Sequence, residues 1–137
     1  MNLNLEHLEK DVNYGLLKEQ EIKATLENYF NCEELTKLSK FHQMDFTSNN
    51  KYFEIKSRRF NHNKYKTTMI GKNKIDYANK YPDKTFYFIF VFDDGIYYYK
   101  YNIEDKLETS IGGRCDRGIN EYKLYYYIPI NYLIKIF

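Results

Sequence analysis

The segment DFTSNNKYFEIK, residues 45–56, decides the fold because it predicts a hairpin that brings two acidic side chains together. Asn49 and Asn50 tolerate the positive φ angles that a two-residue hairpin turn requires. Counting outward from this turn places Asp45 opposite Glu54 on one face of the strand pair. Cβ atoms of such directly opposed residues are about 5 Å apart. The sequence therefore predicts two facing carboxylates on neighbouring strands.

A lysine shares the face of these carboxylates. Residues two apart in a strand point the same way, so Lys56 lies beside Glu54, whereas Phe53 and Ile55 point to the core. Three other Glu-x-Lys triplets lie in a predicted helix or lack a carboxylate on a preceding paired strand; they begin at Glu21, Glu104 and Glu121. The triplet at residues 54–56 is therefore the candidate site.

Two facing carboxylates repel each other and destabilise a hairpin unless another group offsets the cost. Lys56 supplies part of this compensation. A bound divalent cation would supply the rest, because Mg²⁺ prefers carboxylate oxygens and water as ligands. A solvent-facing pairing of Asp45, Glu54 and Lys56 that performs no chemistry explains the same residues. From the residues alone, both interpretations stay open.

Hydrophobic periodicity predicts a mixed α/β order. An apolar stripe predicts a helix at residues 14–30, and Thr67 or Thr68 is expected to cap a second helix that runs to about Lys80. Strands are predicted at 35–38, 43–47, 51–58, 85–92 and 96–101, with a last apolar segment at 122–136. The strand at 85–92 is apolar on both faces, which indicates a central position, parallel to the strand at 51–58.

Length and composition favour one soluble domain over residues 1–137. A chain of 137 residues with 19% aromatic residues can bury a core without disulfides or a structural metal. Cys32 and Cys115 lack zinc-ligand spacing and fit a reducing compartment. The N-terminus has no signal-peptide pattern, and the longest apolar run, 86–92, is too short to cross a bilayer. We therefore expect an intracellular protein of cytoplasm or nucleus, or one encoded by a virus or phage.

Positive charge is concentrated in one part of the chain, although the net charge is only +2. Residues 51–80 are rich in Lys and Arg, which indicates either a solvated surface or a phosphate-binding stripe. The glycine-rich segment at residues 112–118 is interpreted as a turn between strands, with a phosphate-contacting loop as the alternative. His7, His42 and His62 have no mutual metal-ligand spacing, which argues against a histidine-based zinc site.

Taken together, Asp45, the eight following residues and Glu54-Ile55-Lys56 in an apolar strand resemble the PD-(D/E)XK nuclease superfamily. Gly15 and Glu19 are spaced as in the Gly-x-x-x-Glu of Holliday-junction-resolvase-like members. The similarity covers residues 13–93. The chain departs from the pattern at Met44, where many members have proline.

This resemblance implies a restriction-endonuclease-like α/β core: a mixed central β-sheet flanked by two helices, here with a C-terminal β extension. It also implies a Mg²⁺- or Mn²⁺-dependent deoxyribonuclease that acts as a DNA endonuclease. Whether it acts structure-specifically in DNA repair, recombination or replication is left open. DNA is the implied partner, no membrane is involved, and a homodimer is left open.

The resemblance further assigns roles to individual residues. Asp45 and Glu54 would bind metal with the Ile55 main-chain carbonyl, Lys56 would be the catalytic lysine, and Glu19 would be a further catalytic and metal-binding acid. The basic residues that follow would contact DNA phosphates; they are Arg58, Arg59, Lys64, Lys66, Lys72 and Lys74.

Two rival hypotheses also explain these residues. The same fold could serve as a catalytically silent nucleic-acid-binding or assembly protein, although the intact acidic pair and lysine argue against it. Alternatively, the triplet could be a coincidence in an unrelated α/β interaction domain. Fold alone does not choose between them.

Overall fold

The computed structural model describes residues 19–114 and 121–137, without the side chains at positions 113, 114, 121 and 122. The chain divides into two compact units, Met1–Leu35 and Thr36–Phe137. The predicted single domain over residues 1–137 stays a prediction. No helix in the described ranges is long and apolar enough to cross a membrane.

The first unit contains helix α1, which is described at residues 19–29. Its apolar stripe is confirmed at Ile22 and Leu26, which are buried, as is Leu35 beyond the helix, whereas Tyr29 is exposed. The Glu27 carboxylate accepts a hydrogen bond from the Leu35 N–H at 2.7 Å, which ties the following chain to the helix. Residues 14–18 of the predicted helix lie outside the described residues.

The second unit contains nine strands and one helix in its described part. In chain order they are β1 (Thr36–Lys37), β2 (Phe46–Ser48), β3 (Lys51–Ser57), β4 (Thr67–Gly71), α2 (Lys72–Lys80), β5 (Thr85–Phe92), β6 (Gly95–Lys100), β7 (Glu108–Arg114), β8 (Glu121–Pro129) and β9 (Ile134–Lys135).

A six-stranded mixed sheet in the order β1-β2-β3-β5-β6-β9 forms the main layer of this unit. Strands β3 and β5 are parallel, as predicted, and the other neighbours are antiparallel. Strand β5 is buried on both faces, because Phe88 and Ile89 point in opposite directions and each is fully buried. Its central position is therefore confirmed, and so is the α/β class with a mixed sheet.

The hairpin formed by β2 and β3 has the predicted register. Ser48 pairs with Lys51 and Phe46 with Phe53, and Asn49 has a φ of 56°, in the left-handed region that asparagine tolerates. Strand β2 begins at Phe46, so Asp45 lies one residue before it. The turn chemistry was sufficient to fix which residues of the two strands face each other.

The start of the second helix was predicted wrongly. Residues Thr67–Gly71 form strand β4, and α2 begins at Lys72 without a side-chain cap. Thr68 and Ile70 are buried while Thr67 and Met69 are exposed, which is the two-residue period of a strand. The pairing partner of β4 is β8, more than fifty residues further along the chain, so no local signal competed with the threonine caps.

A separate three-stranded sheet in the order β4-β8-β7 forms the predicted C-terminal β extension. It also corrects the prediction of a turn at residues 112–118, because Gly112 and Gly113 lie inside β7 and pair with Lys123 and Tyr122. A Cβ atom on Gly112 would lie 3.1 Å from Tyr125 Cδ2, so the glycine leaves room for this ring. Residues 115–120, which include Cys115, lie outside the described residues.

The core of the second unit joins the helix and both sheets. Ile75 and Ala78 of α2 and Ile70 and Ile128 of the smaller sheet belong to one buried cluster. The same cluster contains the phenylalanines on one face of β5, namely Phe86, Phe88, Phe90 and Phe92. In parallel pairing Glu54 is opposite Phe88 and Lys56 is opposite Phe90, so both point toward this side of the sheet.

Candidate active site

Glu54 is the centre of the site. It lies in the middle of β3 and is 3% exposed, which is unusual for a carboxylate. Two ammonium groups approach it: Lys56 Nζ is 3.3 Å from Oε1, and Lys74 Nζ is 3.3 Å from Oε2. Lys56 comes from the same strand, and Lys74 comes from the first turn of α2. The predicted side-by-side arrangement of Glu54 and Lys56 is therefore present.

Asp45 is fixed beside this strand by the backbone. Its N–H donates to the Phe53 carbonyl at 2.9 Å, and its Oδ2 accepts from the Ile55 N–H at 2.7 Å. The carboxylate therefore bridges to the strand that carries Glu54 and Lys56. It is close enough to Glu54 for the two negative charges to interact.

The pKa of Glu54 is raised above its ordinary value. Burial is the main cause, and the negative charge of Asp45 adds to it, whereas Lys74 and Lys56 oppose the shift. Burial disfavours the charged form of a carboxyl group because water no longer solvates it. The charged form of Glu54 therefore lowers the stability of the folded state.

Charge balance at the site differs from what the sequence alone indicated. The repulsion between Asp45 and Glu54 was expected to need a bound cation, because only Lys56 was counted against it. The structure adds Lys74, so two carboxylates are matched by two ammonium groups. The lysines therefore offset the repulsion without a metal, and the feature that indicates a cation is the set of carboxylate oxygens.

One carboxylate oxygen of Glu54 accepts no hydrogen bond from any described residue. Within the described part of the chain, Glu54 Oε2 is buried and has no hydrogen-bond partner. Lys74 forms an ion pair with it at 3.3 Å, and the hydrogen bond of the Lys74 ammonium goes to the Gln43 carbonyl. Buried polar atoms normally have a partner, so an orphaned one requires an explanation such as an ion.

Helix α2 fixes the loop that precedes Asp45. Asn73 Nδ2 donates to the Gln43 side-chain oxygen at 2.8 Å, and Lys74 donates to the Gln43 carbonyl. His42 lies 3.1 Å from the Tyr77 hydroxyl and accepts the Met44 N–H through Nδ1 at 2.9 Å. These contacts determine where Asp45 stands relative to Glu54. No sequence pattern predicts these contacts, because they depend on how the helix packs.

The donor set fits a divalent cation with carboxylate and water ligands, as Mg²⁺ and Mn²⁺ have. Asp45 and Glu54 offer oxygens, and one of these, Glu54 Oε2, accepts no hydrogen bond from the described residues although Lys74 forms an ion pair with it. Among the described residues, no group of three or more His, Cys, Asp or Glu side chains could hold a metal ion. The site would therefore rely on two carboxylates, with main-chain oxygen or water completing the shell.

Glu19 and the Ile55 carbonyl keep the status of predictions as metal ligands. Glu19 lies at the described start of α1, in the first unit, and Gly15 of the same motif is outside the described residues. The contact between Asp45 and the main chain of Ile55 is a hydrogen bond from the Ile55 N–H to the Asp45 carboxylate. A ligand role for the carbonyl of the same residue rests on the resemblance alone.

A basic cleft of about 790 Å³ adjoins the site. Five cationic side chains line it: Lys56, Arg58, Lys72, Lys74 and Lys123. Of the six residues predicted to bind DNA, three are in this set, whereas Arg59, Lys64 and Lys66 are exposed at other positions of the described chain. The sequence does not predict the wall formed by Lys123, Leu124 and Tyr125. It depends on the pairing of β8 with β4, which are far apart in the chain.

Besides the two lysines that contact Glu54, two further cations of the cleft have partners. The Arg58 guanidinium donates to the Met69 carbonyl at 3.0 Å and lies over the Phe90 ring, so it links β3 to β4. Lys72 forms an ion pair with Asp76 at 2.6 Å along α2. Both can still offer N–H groups to a phosphate; in the described structure the Arg58 contact joins two strands, whereas the Lys72 contact stays within α2.

We expect Glu54→Gln to raise the melting temperature in metal-free buffer near neutral pH. The raised pKa means that the folded state disfavours the charged carboxylate, and an isosteric amide removes this penalty. Below the ordinary pKa of glutamate the side chain is protonated in both states, so the gain should vanish there and grow as the pH rises. Calorimetry of both proteins from acidic to neutral pH measures the effect. A lower melting temperature of the variant at neutral pH would contradict it.

An acidic pair with an adjacent lysine, on a strand of a mixed sheet beside a basic cleft, defines the PD-(D/E)XK class of nucleases. Over residues 11–135 the chain matches the family described as "Phage putative PDDEXK endonuclease", and it belongs to that family. The resemblance drawn from residues 45–56 is thereby confirmed. No curated protein and no solved structure matches the chain significantly. Nucleases of this superfamily generally use divalent metals, and their substrate is DNA.

Proposed function

We propose that this protein is a divalent-metal-dependent DNA endonuclease that hydrolyses phosphodiester bonds with Mg²⁺ or Mn²⁺. The observation that carries the proposal is the buried Glu54 carboxylate, which lies beside Asp45 and two lysines and has one oxygen that accepts no hydrogen bond in the described part of the chain. The adjoining cleft is lined by cations, as the binding site of a phosphate backbone requires.

In this proposal, Asp45 and Glu54 hold the cation, with the Ile55 carbonyl and Glu19 as further ligands. When bound, the cation supplies an activated water and stabilises negative charge on the phosphoryl oxygens. Because metal ligation needs deprotonated carboxylates, Lys56 and Lys74 also favour the required charge state of Glu54.

Lys56 is the residue best placed to act on the substrate. Its side chain is 36% exposed, against 16% for Lys74, and it lines the cleft while it contacts Glu54. An ammonium group in this position can donate to a phosphoryl oxygen as negative charge develops there. Lys74 is more buried and also donates to the Gln43 carbonyl, so we assign it to positioning the loop before Asp45 while it pairs with Glu54.

Incubation with supercoiled plasmid DNA tests this proposal. We expect nicked or linear DNA with Mg²⁺ or Mn²⁺ and no cleavage in EDTA, because the acidic pair alone supplies no electrophile. Protein carrying Asp45→Asn, purified in the same way, controls for contaminating nucleases. Cleavage that persists in EDTA would remove the metal mechanism.

A catalytically silent nucleic-acid-binding or assembly protein is the second candidate. It is favoured by the charge balance of the site, because Lys74 and Lys56 can stabilise both carboxylates without any metal. This alternative predicts DNA binding without cleavage of linear, branched or single-stranded substrates at any concentration of Mg²⁺ or Mn²⁺. Cleavage of branched DNA in preference to linear duplex would instead support structure-specific action.

A further inference from the structure

The two walls of the basic cleft come from different sheets. One wall contains the catalytic strand β3 and the start of α2, which supply Lys56 and Lys74. The other wall belongs to β8, the middle strand of the smaller sheet, with Lys123, Leu124 and Tyr125. This second wall does not contact Asp45 or Glu54 in any described hydrogen bond or ion pair. The presence of a lysine and a tyrosine in it therefore has to be explained separately.

Lys123 differs from the other cations of the cleft. Lys56 and Lys74 contact Glu54, Lys72 contacts Asp76, and Arg58 donates to the Met69 carbonyl. Lys123 is exposed, and no ion pair or hydrogen bond joins its ammonium to another described side chain. No acidic side chain is among the described residues that line the cleft. Its charge is therefore available to an anion that enters from solvent.

Tyr125 presents an aromatic ring on the same face. It is two residues from Lys123 in one strand, so both side chains point the same way. Its direct partner on β4 is Gly71 and its direct partner on β7 is Ser110, and its ring lies against Gly112, which has no side chain. The ring is half-buried and lines the cleft. The residues next to it on both neighbouring strands are small, so no large side chain lies directly opposite this ring.

We infer that β8 is a substrate-binding wall on which Lys123 binds a DNA phosphate and Tyr125 stacks on an unpaired base. This inference rests on the proposed function, because it assumes that the cleft takes DNA. A basic groove with an aromatic ring is the combination by which proteins bind single strands, since every base offers a π-face. The preferred substrate class is therefore DNA with unpaired nucleotides near the cleaved bond.

Binding to labelled oligonucleotides in EDTA tests the lysine without any cleavage. Lys123→Ala should weaken binding of a single strand and lower the slope of log K against log salt by about 0.7, the value for one phosphate contact. Lys100→Ala is the matched control, because this exposed lysine of β6 lies away from the cleft. An unchanged slope for Lys123→Ala, or an equal loss for Lys100→Ala, would overturn the phosphate contact.

Substitutions of Tyr125 separate stacking from charge. Tyr125→Leu should weaken binding of single-stranded or splayed DNA at least about fivefold, with the salt slope unchanged. Tyr125→Phe should bind like the natural protein, because it keeps the ring and also controls for folding. Blunt duplex should be insensitive to both changes, since its bases are already stacked. Equal losses on duplex and single strand, or weak binding by the phenylalanine variant, would overturn the base contact.

The experiment distinguishes this inference from the proposed function. Plasmid cleavage that depends on Asp45, combined with normal binding by the Lys123 and Tyr125 variants, would overturn the β8 wall alone. Binding that depends on this wall in a protein that never cuts would support the wall and overturn the nuclease. Failure of the natural protein to bind any DNA would overturn both.

Discussion

Asp45→Asn is expected to abolish DNA cleavage while the protein stays folded. The asparagine side-chain oxygen can still accept the Ile55 N–H that Asp45 Oδ2 accepts at 2.7 Å, so the hairpin keeps its bridge. The charge that would hold a cation is lost. Changes to residues that only support metal ligands cost about 10- to 100-fold, and loss of a ligand should cost more. We therefore expect cleavage to fall by more than about 100-fold.

Thermal unfolding with and without Mn²⁺ shows whether the loss is chemical or structural. In chelator, the melting temperature of Asp45→Asn should equal or slightly exceed that of the natural protein, because the variant relieves a repulsion that raises the pKa of Glu54. With Mn²⁺ at 100 times its dissociation constant, the natural protein should gain about 2.7 kcal/mol and the variant nothing. Asp83→Asn removes one charge from an exposed aspartate between α2 and β5 and should behave like the natural protein.

Two results would contradict this account. Full cleavage by Asp45→Asn would mean that the active site lies elsewhere in the chain. A lower melting temperature in chelator, without any Mn²⁺ effect in either protein, would make Asp45 a structural residue that closes the hairpin. The second result would favour the catalytically silent alternative.

The sequence predicted the hairpin of the site because its determinants are local. Asn49 and Asn50 fix the turn, and the alternation of side chains then fixes which face Glu54 and Lys56 share. The central strand β5 was equally predictable, because the seven consecutive apolar or aromatic residues after Thr85 favour a strand buried on both faces. In both cases neighbouring residues carry the whole signal, so distant contacts could not reverse the prediction.

The remaining parts of the site depend on contacts between distant residues. Strand β4 forms because β8 lies beside it, and this pairing moved the start of α2 from Thr67 or Thr68 to Lys72. The shift places Lys74 on the first turn of the helix, within 3.3 Å of Glu54. Lys74 had been predicted as a DNA contact, and no sequence pattern indicated that it would neutralise the buried glutamate.

The presence of two lysines at the same distance from Glu54 leads to the second large expected effect. Lys56→Met should reduce cleavage by about 10²- to 10³-fold, the usual cost of removing one group that stabilises transition-state charge. Mn²⁺ binding should be kept or become tighter, because the cation no longer competes with this ammonium for Glu54 Oε1. Single-turnover cleavage and Mn²⁺ titration by calorimetry measure the two effects separately.

Lys74→Met is the matched variant, since it also removes one ammonium that is 3.3 Å from a Glu54 oxygen. Here we expect a different result: the Gln43 carbonyl loses its donor, so stability should fall by about 1–3 kcal/mol, with a smaller loss of cleavage. The ratio of lost activity to lost stability therefore identifies the catalytic lysine. If Lys74→Met is inactive at full stability while Lys56→Met still cuts, the ammonium that acts on the substrate comes from α2, and Lys56 serves only to stabilise Glu54.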